Sequence, residues 1–340
     1  MKEDILLSVR DLRVNFYTYE GVVKALDGVT FQIRRGEAFG LVGETGCGKS
    51  VTASSILRLV DKPGKIVGGE IIFEGENLLE KSEEEMRKIR GEKIAIVFQD
   101  PMTYLNPVLT IGEQIAETIM EHQDLIKEIR KSGKKPSKKM LKEFVRRKVI
   151  DVLRMVRMPN PEMVIDQYPH ELSGGMRQRA MIAMAISCRP KLLILDEATT
   201  FLDVTIQRQI LELVKDLKEK LGCALMIITH DMGIIAEMCD TVAVMYAGTI
   251  VEYAETERIF DNPLHPYTRG LLEAIPLLSK ERKTLKHIPG TIPNLINPPS
   301  GCRFHPRCPE AMKICRIEKP KLTEIEPSHL IACHLYNGGR

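Results

Sequence analysis

A glycine-rich octapeptide, Gly43-Glu-Thr-Gly-Cys-Gly-Lys-Ser50, constrains this chain more than any other feature. It follows the apolar run Ala38–Val42, which predicts a buried strand, and it precedes helical spacing over Ser50–Val60. In such a turn the glycines let backbone N–H groups surround phosphate oxygens at a helix N-terminus. The pattern is G-x-x-x-x-G-K-[ST], so it predicts a P-loop that binds a nucleoside triphosphate.

The predicted nucleotide contacts include the whole octapeptide and the residue after it. Lys49 would supply a cation to the β- and γ-phosphates, and the Ser50 hydroxyl would coordinate Mg²⁺. Cys47 is interpreted as a bystander whose backbone faces phosphate. The predicted set is Gly43, Glu44, Thr45, Gly46, Cys47, Gly48, Lys49, Ser50 and Val51.

A second acidic motif follows another buried strand. The four apolar residues Leu192–Leu195 lead directly into Asp196 and Glu197. In α/β sheets, ligands bind where strands end, so both carboxylates are expected at the nucleotide. Asp196 would bind Mg²⁺, and Glu197 would act as general base toward the attacking water.

Three more short motifs accompany these two. Leu172-Ser-Gly-Gly175 precedes a helix, Gln99 ends the strand predicted over Ile94–Phe98, and His230 ends the strand predicted over Ala224–Thr229. Each could separately be a helix N-cap, a strand-end amide or a core histidine. Together with a P-loop, the three motifs favour a nucleotide-binding function over these purely structural roles.

In their order along residues 1–262, these motifs resemble those of the ABC-transporter ATPases. The resemblance makes Ser173, Gly174 and Gly175 the signature motif, Gln99 the Q-loop, Leu202-Asp203 the D-loop and His230 the switch histidine. It implies an α/β P-loop cassette with a RecA-like core, an antiparallel β subdomain and a helical subdomain at about 100–170.

The resemblance also implies a mechanism. Two cassettes sandwich ATP between the P-loop of one and the signature motif of the other. His230 would hold the γ-phosphate and the water, while Gln99 would sense Mg²⁺ and signal to a membrane subunit. Asp203 is assigned to the same nucleotide site.

The adenine platform and two departures from the family pattern complete the nucleotide assignments. Tyr19 best fits the aromatic residue expected before the P-loop, with Phe16 and Tyr17 as alternatives, and any of them could instead be packing residues. Ala198 stands where the family often has proline, and Phe201 stands where it often has a small residue. Neither departure removes a catalytic group.

Length and proline distribution suggest two parts. The chain has 340 residues, enough for about two domains. Eleven of its 19 prolines lie in the last 78 residues, which places a boundary near residue 262. We therefore expect a nucleotide-binding domain over 1–262 and a small irregular extension over 263–340.

Four of the eight cysteines lie close together near the C-terminus: Cys302, Cys308, Cys315 and Cys333. In a reducing compartment a metal site is favoured over two disulfides. The gaps exceed those of zinc knuckles, and four cysteines fit an iron–sulfur cluster, but spacing alone leaves the metal open. His265–Leu272 and this cysteine block resemble the extension of oligopeptide/dipeptide importer ATPases. That resemblance implies a structural [4Fe-4S] cluster, with zinc or an empty or oxidised site as alternatives.

Composition bears on location and partners. No apolar run is long enough to cross a membrane, residues 1–4 lack the features of a secretory signal, and the net charge of +3 gives no reason to expect nucleic acid. The locally basic segment 121–150, at +7, would be a solvated helical hairpin or an aid to contact with anionic lipid. We therefore expect a peripheral protein on the cytoplasmic face of the cell membrane.

The resemblance implies partners and a cargo. The partners are a second homologous ATPase in a heterodimer or homodimer, two transmembrane permease subunits and an extracytoplasmic binding protein. Residues 101–115 resemble the segment that receives the permease, with Tyr104 where relatives often have a small residue. The expected cargo is di- or oligopeptides, with oligosaccharides or nickel as alternatives. Remoter alternatives are a non-transport ABC ATPase of translation or DNA repair, and a small-molecule kinase.

Overall fold

The structure, a computed structural model, describes residues 4–131, 137–200, 202–274 and 288–337. It divides into two compact units, each treated separately below. Unit 1 comprises residues 1–81 and 226–340, and unit 2 comprises residues 82–225. No helix in the described ranges has both the length and the hydropathy that a membrane span requires.

The described residues contain twelve β-strands. In order they are β1 Ile5–Thr18, β2 Gly21–Arg34, β3 Ala38–Val42, β4 Gly64–Phe73, β5 Glu76–Asn77, β6 Ile94–Val97, β7 Leu192–Asp196, β8 Ala224–Thr229, β9 Thr241–Tyr246, β10 Thr249–Glu255, β11 Thr323–Glu326 and β12 His329–Ile331.

The α-helices are concentrated in unit 2. In chain order they are α1 Lys49–Ile56, α2 Glu83–Ile89, α3 Pro101–Tyr104, α4 Ile111–His122, α5 Leu125–Lys131, α6 Lys138–Met155, α7 Pro161–Val164, α8 Gly174–Ile186, α9 Val204–Leu221, α10 Met232–Met238, α11 Thr256–Asp261, α12 Pro266–Glu273 and α13 His334–Asn337.

An antiparallel sheet of order β2-β1-β4-β5 forms one layer of unit 1. The glycine pair Gly68-Gly69, which the sequence predicts as a break, lies inside β4 instead. Gly69 adopts a φ of +94°, and a Cβ there would lie 2.6 Å from the carbonyl oxygens of Arg10 and Asp11. The pairing register with β1 shifts on both sides of Arg13, so the glycines lie at an irregularity of the ladder and the strand continues through it.

A second sheet of unit 1 runs in the order β11-β12-β10-β9-β3-β8, with β8 entering the unit at Met226. Strand β3 is parallel to β9, whereas β9 and β10 form an antiparallel hairpin that the sequence analysis did not predict. Strand β12 pairs with β10, Glu252 opposite Ile331, so residues on both sides of position 262 share this sheet. The domain boundary near 262 itself stays a prediction.

Unit 2 combines a parallel strand pair with helices. Strands β6 and β7 align Ile94 with Leu192, and the strand ends lead to Gln99 and Glu197. The two longest helices of residues 100–170, α4 and α6, are amphipathic. On α6, for example, Val145, Val149 and Leu153 are buried at intervals of four residues. The basic segment 121–150 includes α5 and α6, while its residues 132–136 lie outside the described ranges.

Candidate nucleotide-binding site

The P-loop connects β3 to α1 in unit 1, as the sequence predicts. Gly48 caps α1 with a φ of +106°, a left-handed conformation that favours glycine. Gly43 is required for a different reason. A Cβ at that position would lie 2.1 Å from the carbonyl oxygen of Met245, so no larger residue fits without moving the backbone of β9.

The P-loop lysine lies against the backbone of its own loop. Lys49 is 4% exposed, and its Nζ donates to the carbonyl oxygens of Gly43 at 2.7 Å and Glu44 at 3.1 Å.

Cys47 is a buried residue of the same loop. Burial is the main cause that raises the pKa of its thiol to about 11, so this thiol stays neutral near pH 7. The Cys47 carbonyl accepts a 2.7 Å hydrogen bond from Gly248 N–H.

Glu44, the second residue of the P-loop, is held by residues far along the chain. Arg307 donates from both Nη atoms to the Glu44 carboxylate, at 2.7 and 3.0 Å. This carboxylate raises the pKa of Arg307 further above its ordinary value. The Glu44 backbone N–H donates to the Tyr267 hydroxyl at 3.0 Å. These contacts connect the P-loop to the cysteine-rich extension within unit 1.

In unit 2 the structure places two predicted catalytic residues in contact. The Gln99 side-chain amide donates to the Glu197 carboxylate at 3.0 Å. Asp196, 6% exposed, ends β7, and Glu197 follows it with a φ of +48°. The Glu197 carbonyl accepts from Thr200 N–H and from the Thr200 hydroxyl. The backbone after β7 is thus held at Glu197, and the Glu197 carboxylate accepts from Gln99.

The signature and D-loop residues begin two helices of unit 2. Ser173 caps α8 by accepting from Met176 N–H, and Asp203 caps α9 by accepting from Ile206 N–H. A Cβ at Gly175 would lie 2.9 Å from Ile206, whereas one at Gly174 would meet nothing closer than 3.9 Å. The N-cap interpretation of Ser173 is therefore correct, and it leaves Gly174 with open space for an incoming group.

The remaining predicted residues differ in exposure. Tyr19 is fully exposed, Tyr17 is half-exposed and Phe16 is partly buried, so packing does not account for Tyr19. His230 is exposed, which excludes the core-histidine interpretation. Ala198 is buried, and Phe201 lies outside the described residues. The functional roles given to all these residues stay predictions.

The four C-terminal cysteines lie in one neighbourhood, as free thiols. Burial, followed by the charges of the other three thiols, raises the pKa of Cys333 to about 11. Burial also raises the pKa of Cys302 to about 11, with Cys315 and Cys308 contributing. Within the described ranges, however, no three His, Cys, Asp or Glu side chains are placed to hold a metal ion. The predicted four-cysteine metal site is thus unsupported by this geometry, and a single zinc ion does not fit it.

Two arginines of the extension were missed as functional residues. The sequence analysis gave no role to Arg303 or Arg307, yet both side chains are 5% exposed and paired with carboxylates. Arginine is seldom buried unless it is paired, and this burial is visible only in the structure.

Comparison with known proteins identifies the family. The family model described as "ABC transporter" matches residues 26–200, and the model described as "Oligopeptide/dipeptide transporter, C-terminal region" matches residues 251–315. The chain belongs to the ABC transporter family. Members bind and hydrolyse ATP, so the chain is an ATPase that uses Mg²⁺, and the predicted fold class is confirmed.

Relatives match over nearly the full chain. The "Probable peptide ABC transporter ATP-binding protein y4tR" of Sinorhizobium fredii is 53% identical, covering 98% of this chain and 95% of the relative. The oligopeptide transport ATP-binding protein OppD of Escherichia coli is 47% identical, covering 97% and 93%. Among solved structures, cbiO1 of Clostridium perfringens, part of the ABC transporter complex cbiONQ, is 28% identical with a TM-score of 0.61, covering 76% and 92%.

Proposed function

We propose that this ABC ATPase powers the import of di- or oligopeptides through separate permease subunits. The observation that carries the proposal is the match of residues 251–315 to the C-terminal region of oligopeptide/dipeptide transporters. Relatives of nearly full length carry peptide-transport names, including the dipeptide transport ATP-binding protein DppD of Bacillus subtilis at 46% identity. Oligosaccharide and nickel import are the alternatives to be tested.

The chemistry within one subunit follows from the residue types. Lys49 and the P-loop N–H groups bind the β- and γ-phosphates, and Tyr19 stacks on adenine. The Ser50 hydroxyl and the Asp196 carboxylate are oxygen donors of the kind that Mg²⁺ prefers, and Gln99 adds a third. Bound Mg²⁺ would neutralise charge on the phosphates. Glu197 accepts the proton of the attacking water, and His230 orients that water and the γ-phosphate.

The signature motif acts on a partner subunit. Ser173 and the N-terminus of α8 offer a hydroxyl and backbone N–H groups, which suit an anion. The space beside Gly174 supports a role for this turn as contact for the partner's γ-phosphate. Asp203 would lie at the same subunit boundary. The partner is a second homologous ATPase or a second copy of this chain.

The complete assembly would contain two permease subunits and an extracytoplasmic binding protein, with this subunit on the cytoplasmic face of the membrane. Residues 101–115 would receive a permease helix. In this segment Tyr104 stacks on Phe98 with ring centroids 4.0 Å apart and is half-exposed, so it is available to a partner. No nucleic-acid partner is proposed.

The test is transport-coupled hydrolysis. The chain is purified with its permeases and partner ATPase in lipid, and ATP hydrolysis is measured with the cognate binding protein loaded with peptide, oligosaccharide or nickel. Stimulation by peptide alone supports the proposal. Stimulation by one of the other two ligands, without a response to peptide, would assign the cargo to that class instead.

For the extension we propose a [4Fe-4S] cluster on Cys302, Cys308, Cys315 and Cys333. The support is the number and type of the donors, four cysteines within 32 residues, and not their placement in the described residues. A single ion needs its sulfur ligands about 2.3 Å from one centre, whereas a cluster binds each thiolate to a different iron and tolerates wider spacing. Oxygen-protected protein would contain iron and acid-labile sulfide in equal amounts. Protein without either, prepared under those conditions, would contradict the proposal.

A further inference from the structure

The segment Cys302–Cys308 carries two buried arginines: Arg307 contacts the P-loop directly, and Arg303 contacts the turn at Ala247 that lies beside it. Arg307 acts directly. Its two Nη atoms donate to the two carboxylate oxygens of Glu44 at 2.7 and 3.0 Å, and its side chain is 5% exposed. A bidentate pair of this kind fixes orientation as well as distance, because the guanidinium is planar and its donors are rigidly placed.

The backbone of Glu44 is held as well as its side chain. The Tyr267 hydroxyl accepts a 3.0 Å hydrogen bond from Glu44 N–H, and Tyr267 is fully buried. Arg307 is itself held by the carbonyl oxygens of Pro289 at 2.9 Å and Ile288 at 3.2 Å. The carboxylate and the backbone N–H of Glu44 are therefore both held by residues that follow position 262.

Arg303 acts on the loop through one intermediate turn. Its Nη1 donates to the carbonyl oxygens of Ala247 and Lys24. The next residue in that turn, Gly248, donates from its backbone N–H to the Cys47 carbonyl at 2.7 Å. Arg303 therefore holds the turn at Ala247-Gly248, and this turn holds Cys47, the residue directly before Gly48.

An aromatic cluster anchors the segment between the two arginines. Phe304 is 2% exposed and packs with its ring centroid 5.1 Å from Tyr246 and 5.4 Å from Tyr267. Because Phe304 is locked in this cluster, the backbone that bears Arg303 and Arg307 has little freedom. Their contacts with the loop are therefore built into the core of unit 1.

We infer that Arg307, Tyr267 and Arg303 are positioning residues for ATP, which hold the P-loop in the shape that receives phosphate. Arg307 and Tyr267 contact the loop at Glu44, and Arg303 acts on Cys47 through Gly248. A loop that adopts its binding shape only part of the time binds more weakly in proportion to that fraction. This inference rests on the proposed assignment of Gly43–Ser50 to the nucleotide.

The experiment measures binding of MgADP, which occupies the P-loop without being hydrolysed, to the full-length chain by calorimetry. For Arg307→Gln we expect the dissociation constant to rise about tenfold. Arg316→Gln is the matched control, because Arg316 is an exposed arginine of the same extension. Tyr267→Phe removes only the hydroxyl that accepts from Glu44 N–H, and it should weaken binding about threefold while remaining fully folded under the assay conditions, as its denaturant unfolding curve would check.

A double-mutant cycle separates positioning from general support of the fold. If Arg307 acts through Glu44, then adding Arg307→Gln to Glu44→Ala changes affinity by no more than about twofold. An equal loss in both backgrounds would overturn the inference, as would wild-type affinity in both Arg307→Gln and Tyr267→Phe. If the wild-type chain itself failed to bind MgADP, the assignment of the P-loop to ATP would fall instead, so the two failures are distinguishable.

Discussion

Nε2 of Gln99 donates a 3.0 Å hydrogen bond to Oε2 of Glu197, across 98 positions of sequence. The amide assigned to Mg²⁺ and permease contact thus touches the carboxylate assigned to activate water. If Gln99 moved, the hydrogen bond from its amide to the Glu197 carboxylate would weaken or break. Within unit 2, this contact would link the segment proposed to receive the permease to the carboxylate proposed as the hydrolytic base.

Glu197→Gln should bind ATP and lose hydrolysis. The amide preserves size and the ability to accept a hydrogen bond, but it cannot take a proton, so we expect a loss of about a hundredfold or more in phosphate release. The ATP-bound variant should accumulate as a dimer, visible by light scattering. Glu219→Gln, an exposed change on α9, is the control. Near-normal turnover in Glu197→Gln would remove Glu197 from the base role.

Gln99→Ala should lower turnover without preventing ATP binding. The variant removes the hydrogen bond that Gln99 donates to the Glu197 carboxylate, and a misplaced catalytic group costs up to about a hundredfold in rate. Steady-state phosphate release gives kcat and KM separately. We expect kcat to fall while KM for ATP stays near wild type. A variant in which only KM changes would show that Gln99 serves binding.

Gly174→Ala tests the signature turn. A Cβ at this position has no atom within 3.9 Å in its own subunit, so the free energy of unfolding should change by less than about 1 kcal/mol. Hydrolysis should nevertheless fall by about tenfold or more, because the methyl group would occupy space meant for the partner's nucleotide. Full activity in a stable Gly174→Ala variant would argue against a role in trans. Gly175→Ala is not a clean test, since its Cβ would lie 2.9 Å from Ile206.

Arg303 and Lys319 both pair with Asp27, yet only one should matter for stability. The Arg303 side chain is 5% exposed and also binds backbone carbonyls, whereas Lys319 is 43% exposed. Arg303→Gln should lower the free energy of unfolding by about 3 kcal/mol, because buried acceptors lose their donors. Lys319→Gln should cost at most about 1 kcal/mol. Denaturant unfolding of both variants checks this order, and equal effects would contradict it.

Acid should destabilise unit 1 through His265. Burial lowers the pKa of this histidine from 6.5 to about 4. The unfolded chain therefore binds a proton as pH falls below 6.5 while the folded chain does not, and stability is lost over that window with a slope of up to about 1.4 kcal/mol per pH unit. Denaturant unfolding at a series of pH values measures this slope. It should flatten in His265→Gln and stay unchanged in His170→Gln, the exposed control; an unchanged slope in His265→Gln would exclude His265 as the cause.

Glu252 adds an effect at lower pH. Burial opposes ionisation of this carboxylate, but hydrogen bonds from His329, Leu264 N–H and His265 N–H outweigh it, so its pKa lies below the ordinary 4.5. The stability from these bonds is complete above pH 4.5 and is lost as the pH falls through the lowered value.

The sequence predicted the parts of the fold that depend on local pattern. Strands β3 and β8 occur at the predicted residues because each is an uninterrupted apolar run between turn residues. The β9–β10 hairpin was missed although Ala247-Gly248 separates two apolar runs. The prediction of a break at Gly68-Gly69 was wrong. Glycine usually weakens a strand, but here the pair lies at an irregularity of the pairing within β4.

The candidate site also combines residues that a local sequence pattern predicts with contacts that only the folded chain shows. Gly43–Ser50, Asp196 and Glu197 are recognisable because phosphate and metal binding demand certain residue types at fixed spacing. The pair of Glu44 with Arg307 spans 263 positions and follows no local rule, because any exposed acid and any arginine are equally compatible with pairing. Such long-range contacts depend on the folded topology and are visible only in the structure.

The pairing of β12 with β10 bears on how this subunit could evolve. Glu252 lies on β10, and its described partners Leu264, His265 and His329 all belong to the extension. A cassette that lost the extension would keep an ionised side chain in its interior and an open row of backbone donors and acceptors, which invites aggregation. We therefore expect the cassette and the extension to be inherited together. Chimeras that exchange the extension between distant relatives should fold only when residue 252 is exchanged along with its partners.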